Sequence, residues 1–255
     1  MGVIAIVNQK GGVGKTTTTM NLATALCVME KKVLIIDLDP QSNATTGLGY
    51  KINEVKHSSY DVLVGNVDIS KAIINTKIPN LDIIPTSMDL SGAEIELANV
   101  EKREEFLKMA LENIKDSYEY ILIDCPPSLG MLTINALVAA SEVLIPLQCE
   151  YFALEGLSHL MNTISIIKKS LNKNLAIRGI LLTMYDNRNN LSKLVDLDVR
   201  KHYGNLVYKT VIPRNVKVSE APSHGYPVIL YDSHCVGSQS YISLAIEVIS
   251  QERVS

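Results

Sequence analysis

Aromatic residues and cysteines are scarce in this chain of 255 residues. It contains no tryptophan, two phenylalanines and four cysteines. The cysteines (Cys27, Cys125, Cys149 and Cys235) are far apart and lack the C-x-x-C spacing of zinc and redox sites. This pattern argues against a disulfide framework. It predicts reduced, mostly buried thiols of a cytoplasmic protein.

Long apolar runs are also missing. No segment approaches the roughly 20 apolar residues that a membrane-spanning helix needs. No basic segment precedes a long apolar stretch near the first residue, so a secretion signal is not expected. Hydrophobic residues make up 47% of the chain and charged residues 20%, which is typical of a globular protein. By its length the chain could form one large α/β domain or two small ones. Because no repeat, low-complexity segment or linker is evident, a single domain over residues 1–255 is expected.

A strong net charge is absent as well, since the formal charge is −3. The charges are nevertheless unevenly distributed. Residues 161–220 hold 11 Lys and Arg against 4 Asp and Glu, whereas the other residues hold 13 against 23. This asymmetry indicates either one basic face on an acidic body or charge scattered over the surface.

A glycine-rich stretch, Gln9–Thr17, lies between an apolar run, Val3–Val7, and a helical pattern from about residue 17 to 29. Such a turn directs backbone N–H groups and the positive end of a helix dipole at one point, where they surround a polyphosphate. Lys15 would reach the β- and γ-phosphates, and the Thr16 hydroxyl would bind Mg²⁺. The predicted nucleotide-binding residues here are Lys10, Gly11, Gly12, Val13, Gly14, Lys15, Thr16 and Thr17.

This stretch departs from the strict G-x-x-x-x-G-K-[ST] pattern. Gln9 stands where the first glycine belongs, and Lys10 adds a second lysine at the start of the turn. The order of strand, glycines, Lys-Thr and helix is retained. The stretch therefore still predicts a nucleotide site.

Two more apolar runs end in carboxylates. One is followed by Asp37 and Asp39, and the other ends at Asp124. Runs nearly continuous in Val, Ile and Leu are typical of parallel strands covered on both faces, and ligands bind at the carboxyl edge of such sheets. Asp124 is predicted to hold Mg²⁺ opposite Thr16. Asp37 and Asp39 could take part in such a ligand site or, alternatively, form a turn or cap a helix.

The predicted fold is a doubly wound, mostly parallel α/β sheet with helices on both faces. Further strands are expected at 81–85, 142–147, 176–184 and 207–212. Helical spacing is expected at 60–64, 69–74, 91–115, 154–171, 191–203 and 234–252.

Four motifs together resemble one family. Gln9–Thr17 resembles the deviant Walker A loop of partition and septum-site ATPases, and Asp37–Gln41 and Ile121–Pro127 are similar to two more motifs of that group. Ile212–Gly225 is similar to a stretch typical of the ParA/Soj chromosome-partition branch. The resemblance extends from about residue 3 to 250. It implies a P-loop ATPase that uses ATP and Mg²⁺, with weak activity that a partner stimulates.

The resemblance also implies roles for individual residues. Lys10 corresponds to a signature lysine that reaches across a nucleotide-sandwich dimer to the partner's phosphates, where it offsets developing negative charge. Asp39 matches the carboxylate that positions or activates the attacking water. The implied catalytic residues are Lys10, Lys15 and Asp39; Thr16, Asp37 and Asp124 support the metal; Pro213 and Asn215 contact adenine.

In the Soj-like branch the ATP-bound homodimer binds double-stranded DNA without sequence preference. A ParB-type protein then stimulates slow hydrolysis, which releases the dimer from the nucleoid during chromosome or plasmid segregation. The matching DNA-binding positions lie in the basic region found independently from the charge distribution, although a merely solvated surface is the alternative. They are Arg188 and Lys217, with Arg214, Arg200, Lys201 and Lys193 as helpers.

Three other functions remain as alternatives. A MinD-like membrane-cycling ATPase would need a basic amphipathic tail, but residues 241–255 contain one basic residue, Arg253. We therefore expect no membrane binding. An electron-transfer ATPase resembling the nitrogenase iron protein would use Cys125 and Cys149 for a cluster. A small-metabolite kinase would have no use for Lys10.

Overall fold

The computed structural model describes residues 2–251, so Glu252 and Arg253 of the predicted tail lie outside the described residues. Seven strands form one sheet in the order β3-β4-β2-β5-β1-β6-β7. Strand β3 pairs antiparallel to β4, and every other pair is parallel. The strands are β1 (Gly2–Ile6), β2 (Val33–Asp37), β3 (Ile74–Asn75), β4 (Leu81–Ile84), β5 (Tyr120–Asp124), β6 (Glu142–Gln148) and β7 (Ala176–Thr183).

Helices cover both faces of the sheet, as predicted from the nearly continuous apolar strands. One face carries α1, α2 and α10 to α12, and the other carries α3 to α9. The helices are α1 (Lys15–Val28), α2 (Asn43–Gly47), α3 (Ser59–Leu63), α4 (Ile69–Ala72), α5 (Leu90–Glu96), α6 (Phe106–Leu111), α7 (Met131–Ala139), α8 (Ala153–Ser170), α9 (Asn190–Tyr203), α10 (Val216–Glu220), α11 (Val228–Tyr231) and α12 (Val236–Gln251).

Strand β1 shows how the sequence fills both layers. Its side chains alternate between the two faces, so Val3 and Ala5 join the core under α3 to α9 while Ile4 and Ile6 pack under α1 and α12. All residues of β1, β2 and β5 are buried. These three neighbouring strands therefore form the buried centre of the sheet, which positions the loops that follow their carboxyl ends.

The carboxyl ends of the central strands bring the predicted site residues to one edge. Asp37 at the end of β2 is in register with Asp124 at the end of β5, and Ile6 of β1 is in register with Asp124 on the other side. The glycine-rich stretch follows β1 directly. Three motifs that are distant in sequence thus meet at adjacent strand ends, as expected for a parallel sheet.

The strand predicted at 207–212 is wrong. Val207 forms one isolated bridge to Ile180 of β7, and Tyr208 N and Ile212 N donate to Ile180 O and Leu182 O, but no regular ladder forms. The ring of Tyr208 packs against Gly179 of β7, 2.5 Å from where a Cβ on that glycine would lie. The segment therefore lies beside β7 without being a strand.

The helical pattern predicted over 91–115 is interrupted. Helix α5 ends at Glu96, and α6 begins only at Phe106. Between them Lys102 adopts a φ of +55°, which reverses the chain. Helix α7 was not predicted at all. Among the described residues, no helix has the combined length and apolar character needed to cross a membrane.

Candidate nucleotide site and adjoining basic surface

The glycine-rich loop presents unsatisfied N–H groups at the start of α1. Gly12 and Gly14 have φ angles of +76° and +90°, which side chains with a Cβ rarely adopt. Gly14 caps α1 without any side-chain hydrogen bond, and the first turn of the helix has no acidic residue. The first N–H groups of α1 therefore have no anionic side chain beside them, which suits a bound phosphate.

Contacts from neighbouring strands fix this loop. The Thr183 hydroxyl donates to Val13 O over 2.8 Å, and Asn8 Nδ2 donates to Pro146 O over 2.7 Å. Asn8 Oδ1 accepts from Lys10 N over 3.0 Å. These bonds, made within the chain itself, hold the loop in its position between β6 and β7.

Lys15 is buried within the loop that it follows. Lys15 is only 6% exposed, and its Nζ donates a hydrogen bond to Lys10 O over 3.1 Å. Burial lowers the pKa of Lys15, while the nearby Asp124, Cys125 and Asp39 act to raise it. A bound polyphosphate would stabilise the charged form of this desolvated ammonium group.

Asp124 has the features of a metal-supporting carboxylate. Its Oδ1 accepts from the Thr19 hydroxyl over 3.1 Å, whereas Oδ2 is buried with no hydrogen-bond partner in the part of the chain that the structure describes. Burial raises the pKa of Asp124, the negative charge of Asp37 raises it further, and hydrogen bonds from Thr16 and Thr19 oppose the shift. A divalent cation beside Thr16 would compensate this charge, so the residues present fit Mg²⁺.

Asp37 is already occupied by hydrogen bonds. Its Oδ2 accepts from Thr45 N and Oγ1 over 2.9 and 2.7 Å, and its Oδ1 accepts from Asp39 N over 3.1 Å. Burial raises the pKa of Asp37, and the bonds from Thr45 oppose that shift. Asp37 thus fastens the loop that carries Asp39, and its role in supporting Mg²⁺ stays a prediction.

Asp39 faces the open space in front of the glycine-rich loop. It lines the cleft there, and its Oδ1 accepts from Gln41 N over 3.0 Å. Helix α2 follows, so the Asp39 loop and α2 form one wall of the cleft. The geometry places a carboxylate where it can accept a hydrogen bond from a water near a terminal phosphate.

Two adjoining cavities have the size of a nucleotide site. One, of about 420 Å³, surrounds the glycine-rich loop and Asp39, and the other, of about 250 Å³, contains the predicted adenine contacts Pro213 and Asn215. Sequence reasoning assigned no role to several lining residues, because uncharged side chains outside the phosphate-loop motif carry no specific signal for a nucleotide. These are Met20, Asn43, Thr46, Gly47, Pro127, Met184 and Pro222.

Lys10 lies outside its own cleft. It is absent from the residues that line the cavity, and its side chain, which is 54% exposed, forms an ion pair with Glu150 just before α8. Lys15 and Lys10 are five positions apart, yet one is buried in the phosphate loop and the other faces solvent. The two lysines therefore have different surroundings.

The loop before α9 carries Arg188 close to the segment that carries Arg214. Tyr185 N donates to Ile212 O, and Arg214 N donates to Tyr185 O, each over 3.0 Å, so the two loops lie side by side. The Arg188 side chain is 90% exposed and pairs with Asp186. Hydrogen bonds from Arg188 lower the pKa of Asp186 to about 2.

The other predicted DNA-binding residues are less alike. Lys193 and Lys201 are exposed on α9, while Arg200 donates from Nε to Asp196 over 2.6 Å and from Nη2 to Tyr208 O over 3.0 Å. Lys217 on α10 pairs with Glu220 over 3.1 Å. Residues 200 and 201 are also about 15 Å along the helix axis from the start of α9. The structure thus groups Arg188 with Arg214 and separates Arg200 and Lys201 from them.

Fold and site together define the class of protein. A parallel sheet, a glycine-rich loop with Lys-Thr at a helix start, and two carboxylates at adjacent strand ends make a P-loop nucleotide-binding domain of the deviant Walker A type. The family model of the AAA domain matches residues 1–177.

Similar proteins narrow this class to one family. The chain is 56% identical over 253 residues to the chromosome partitioning protein ParA of Caulobacter vibrioides, which covers 98% of this chain and 95% of that protein. It is 56% identical to the sporulation initiation inhibitor protein Soj of Bacillus subtilis, over 96% of this chain and 97% of that one. The chain belongs to the ParA/Soj family of chromosome-partitioning ATPases.

Solved structures share the fold. Cobyrinic acid a,c-diamide synthase from Mycobacterium smegmatis, with bound ADP and magnesium, has a TM-score of 0.88 and 36% identity and covers 99% of this chain and 96% of its own. MinD of Pyrococcus horikoshii, complexed with Mg-ADP, has a TM-score of 0.78 and 30% identity over 96% of this chain and 95% of its own. The predicted family and fold class are therefore confirmed.

Proposed function

We propose that this ATPase is a switch in which ATP and Mg²⁺ assemble a homodimer that binds double-stranded DNA without sequence preference. Slow hydrolysis, stimulated by a ParB-type partner, returns the dimer to monomers and releases it from the nucleoid. Repeated over many cycles, this exchange would drive chromosome or plasmid segregation. The family membership supports the ATPase itself, and the positions of individual residues support the remaining steps.

The position of Lys10 carries the proposal. Its ammonium group lies outside the cleft of its own chain and is exposed beside Glu150, although it belongs to the phosphate loop. A lysine that only served its own nucleotide would be expected beside Lys15, which is buried at the phosphates. An outward-facing lysine on this loop instead suits a second subunit packed against the cleft, with Lys10 adding charge to the partner's nucleotide.

The roles of the other cleft residues follow from their surroundings. Bound Mg²⁺ would neutralise phosphate charge beside Thr16 and Asp124. Lys15 and the first N–H groups of α1 would hold the β- and γ-phosphates. Asp39 would accept a hydrogen bond from the attacking water, and Asp37 would keep Asp39 in position through the bond that it accepts from Asp39 N.

The exposed basic residues would serve the DNA. Arg188, Arg214 and Lys217 lie on the loop before α9, the loop before α10 and α10 itself, and Arg214 lines the cavity that contains the predicted adenine contacts. Contacts of this kind are made to phosphates rather than to bases, so binding would weaken strongly with added salt. Because the segment that carries Arg214 and Lys217 adjoins the nucleotide site, bound ATP can influence the position of this segment.

A gel-shift series tests the proposal. DNA of unrelated sequence is titrated with the protein alone, with ADP, with ATP and with a non-hydrolysable ATP analogue, and size-exclusion chromatography is run on the same samples. We expect dimers and DNA binding only with ATP or the analogue. DNA binding that ignores the nucleotide, or a monomer that binds DNA equally well, would contradict the switch.

A Lys10 variant distinguishes nucleotide binding by one chain from ATP hydrolysis in the assembled dimer. Lys10→Ala should bind ADP with an affinity within about threefold of the unmodified protein, because Lys10 does not reach its own phosphates. Its ATP turnover, with and without DNA and the partner, should fall by about 100-fold. Lys71→Ala, an exposed lysine on α4, is the control. Flotation with anionic vesicles examines the membrane-cycling alternative in the same preparations.

A further inference from the structure

Helix α2 connects the catalytic loop to a glycine. Asn43, Thr46 and Gly47 of α2 line the cleft together with Asp39. Beyond α2, Gly49 N donates to Thr46 O over 2.9 Å. Gly49 is therefore hydrogen-bonded to the last turn of α2, beside this wall of the cleft.

A second segment ends in another glycine. Helix α10 continues directly into a short 3₁₀ helix, Ala221–His224, after which Gly225 N donates to Pro222 O over 3.0 Å. Pro222 lines both cavities of the nucleotide site, and Lys217 lies on α10. Gly225 is thus tied to the segment that carries a predicted DNA-binding residue.

The two glycines touch each other through their backbones. Gly49 and Gly225 have φ angles of +85° and +73°. A Cβ added to Gly225 would lie 2.8 Å from Gly49 Cα, and a Cβ added to Gly49 would lie 3.2 Å from Gly225 O. Both positions require glycine twice over, for the backbone conformation and for the close approach.

We infer that the contact between Gly49 and Gly225, called the glycine joint from here on, transmits the state of the Asp39 wall to the basic segment at α10. It acts as a positioning contact: binding of the ATP γ-phosphate at Asp39 and α2 shifts Gly49, and Gly225 moves Pro222 and Lys217 in response. The inference rests on the proposed function, because it explains how DNA binding depends on ATP.

Backbone contact suits this task better than side-chain packing. A long side chain between two segments absorbs a small displacement by changing its rotamer, whereas two backbones in van der Waals contact cannot. A cavity of about 300 Å³ lies beside the joint, lined by residues that include Leu48, Ile78 and Tyr226. The two segments therefore have free space on the side of this cavity and are in backbone contact on the side of the joint.

A single methyl group at the joint tests the inference, with a matched control. Gly225→Ala adds a Cβ at the contact, whereas Gly65→Ala adds one at an exposed glycine after α3 that has a φ of +75° and no atom within 4 Å of the new Cβ. Both variants strain the backbone, but only Gly225→Ala changes the joint. Gly49→Ala provides a milder second variant, since its Cβ meets a carbonyl oxygen at 3.2 Å.

The measured quantity is the ratio of DNA affinities with a non-hydrolysable ATP analogue and with ADP. We expect Gly225→Ala to bind both nucleotides but to lose about tenfold or more of this ratio, while Gly65→Ala keeps it. Since coupling between two ligands is reciprocal, DNA should also cease to tighten analogue binding in Gly225→Ala. Loss of stability alone would not change this reciprocal effect in the folded fraction.

Hydrogen exchange on the unmodified protein gives a readout independent of any variant. The ATP analogue should change the exchange of amides at 217–226 relative to ADP, in monomers kept dilute and free of DNA. The glycine joint is wrong if Gly225→Ala and Gly49→Ala both keep the ratio of Gly65→Ala, or if these amides do not respond. If the unmodified protein binds DNA equally with ADP and the analogue, the proposed function fails and the joint with it.

Discussion

The nucleotide cleft and the basic surface are built in opposite ways. In the cleft Lys15 is 6% exposed, its loop is fixed by Asn8 and Thr183, and Asp37 has both oxygens occupied. On the basic surface the Arg188 side chain is 90% exposed, and within the described part of the chain its hydrogen bonds go to its near neighbour Asp186. The cleft thus has buried and hydrogen-bonded polar groups, whereas this surface has an arginine exposed to solvent.

This difference matches the chemistry of two ligands. A polyphosphate held for hydrolysis needs groups in exact positions, which only buried and hydrogen-bonded residues provide. A DNA backbone bound without sequence preference needs positive charge that adapts to different phosphates. In the proposed function, DNA phosphates would have to replace the acidic neighbours that pair with Arg188 and Lys217. We therefore expect large, specific effects in the cleft and additive, salt-dependent effects on the surface.

The largest effect is expected for Lys15→Ala. Removing the buried cation leaves the phosphates without their main charge partner, so ATP and ADP affinity should fall by about 100-fold or more. Isothermal titration calorimetry measures this loss. Lys169→Ala, an exposed lysine on α8, should bind both nucleotides normally. Tight ATP binding by Lys15→Ala would remove the basis for calling this cleft the phosphate site.

Asp39→Ala should separate hydrolysis from assembly. Without the carboxylate that positions water, turnover should fall by about 100-fold, while ATP still assembles a dimer that holds DNA. Phosphate release assays and size-exclusion chromatography with ATP measure the two quantities. Asp89→Ala, at the exposed N-terminus of α5, is the control. If Asp39→Ala elutes only as a monomer with ATP, the assigned role is wrong.

The basic surface should respond to charge reversal without any change in the cleft. Arg188→Glu combined with Lys217→Glu should abolish DNA retention at moderate salt, because two phosphate contacts become repulsive, and should leave ATP-dependent dimerisation intact. Gel shifts across a salt series provide the measurement. Lys71→Glu with Lys108→Glu makes the same charge change outside the basic region. Equal DNA binding by both double variants would place the DNA surface elsewhere.

The smallest effects distinguish two neighbours on α9. Arg200 bonds to Asp196 and Tyr208 O, so Arg200→Ala should lower the free energy of unfolding by about 1–2 kcal/mol. Lys201 is exposed, so Lys201→Ala should change stability by less than about 0.5 kcal/mol. Denaturant unfolding measures both. If Lys201→Ala lowers the salt slope of DNA binding and Arg200→Ala does not, Arg200 is structural.

Much of the nucleotide site could be predicted because its functional residues lie in short, contiguous sequence motifs. The order of strand, glycines, Lys-Thr and helix fixes the phosphate loop, and an acid at the end of an apolar run marks Asp124. The parallel sheet then follows from the apolar strands, and its edge brings these motifs together. Asp37 shows where this reasoning stops, because only the structure reveals that Thr45 and Asp39 occupy both of its oxygens.

Other features depend on long-range packing that local pattern does not encode. Residues 207–212 have the composition of a strand, but in the structure Val207 makes an isolated bridge to β7 and the segment forms no regular ladder. The charge excess at 161–220 included Arg178, which is 8% exposed and pairs with Glu142, so it adds nothing to a DNA surface. Composition counts charges, but only the fold decides which of them reach solvent.

Contacts between α1 and the last two helices, α11 and α12, have a consequence for how the protein is made. Tyr241 OH of α12 lies 3.5 Å from the Thr18 hydroxyl, 223 positions earlier, and Val228 N of α11 donates to Asn21 Oδ1, 207 positions earlier. Contacts that span nearly the whole chain form late, since loop closure must precede them. The phosphate-loop helix thus leaves the ribosome early yet completes its packing only after α11 and α12 are synthesised, so chains stalled before α11 should not bind nucleotide.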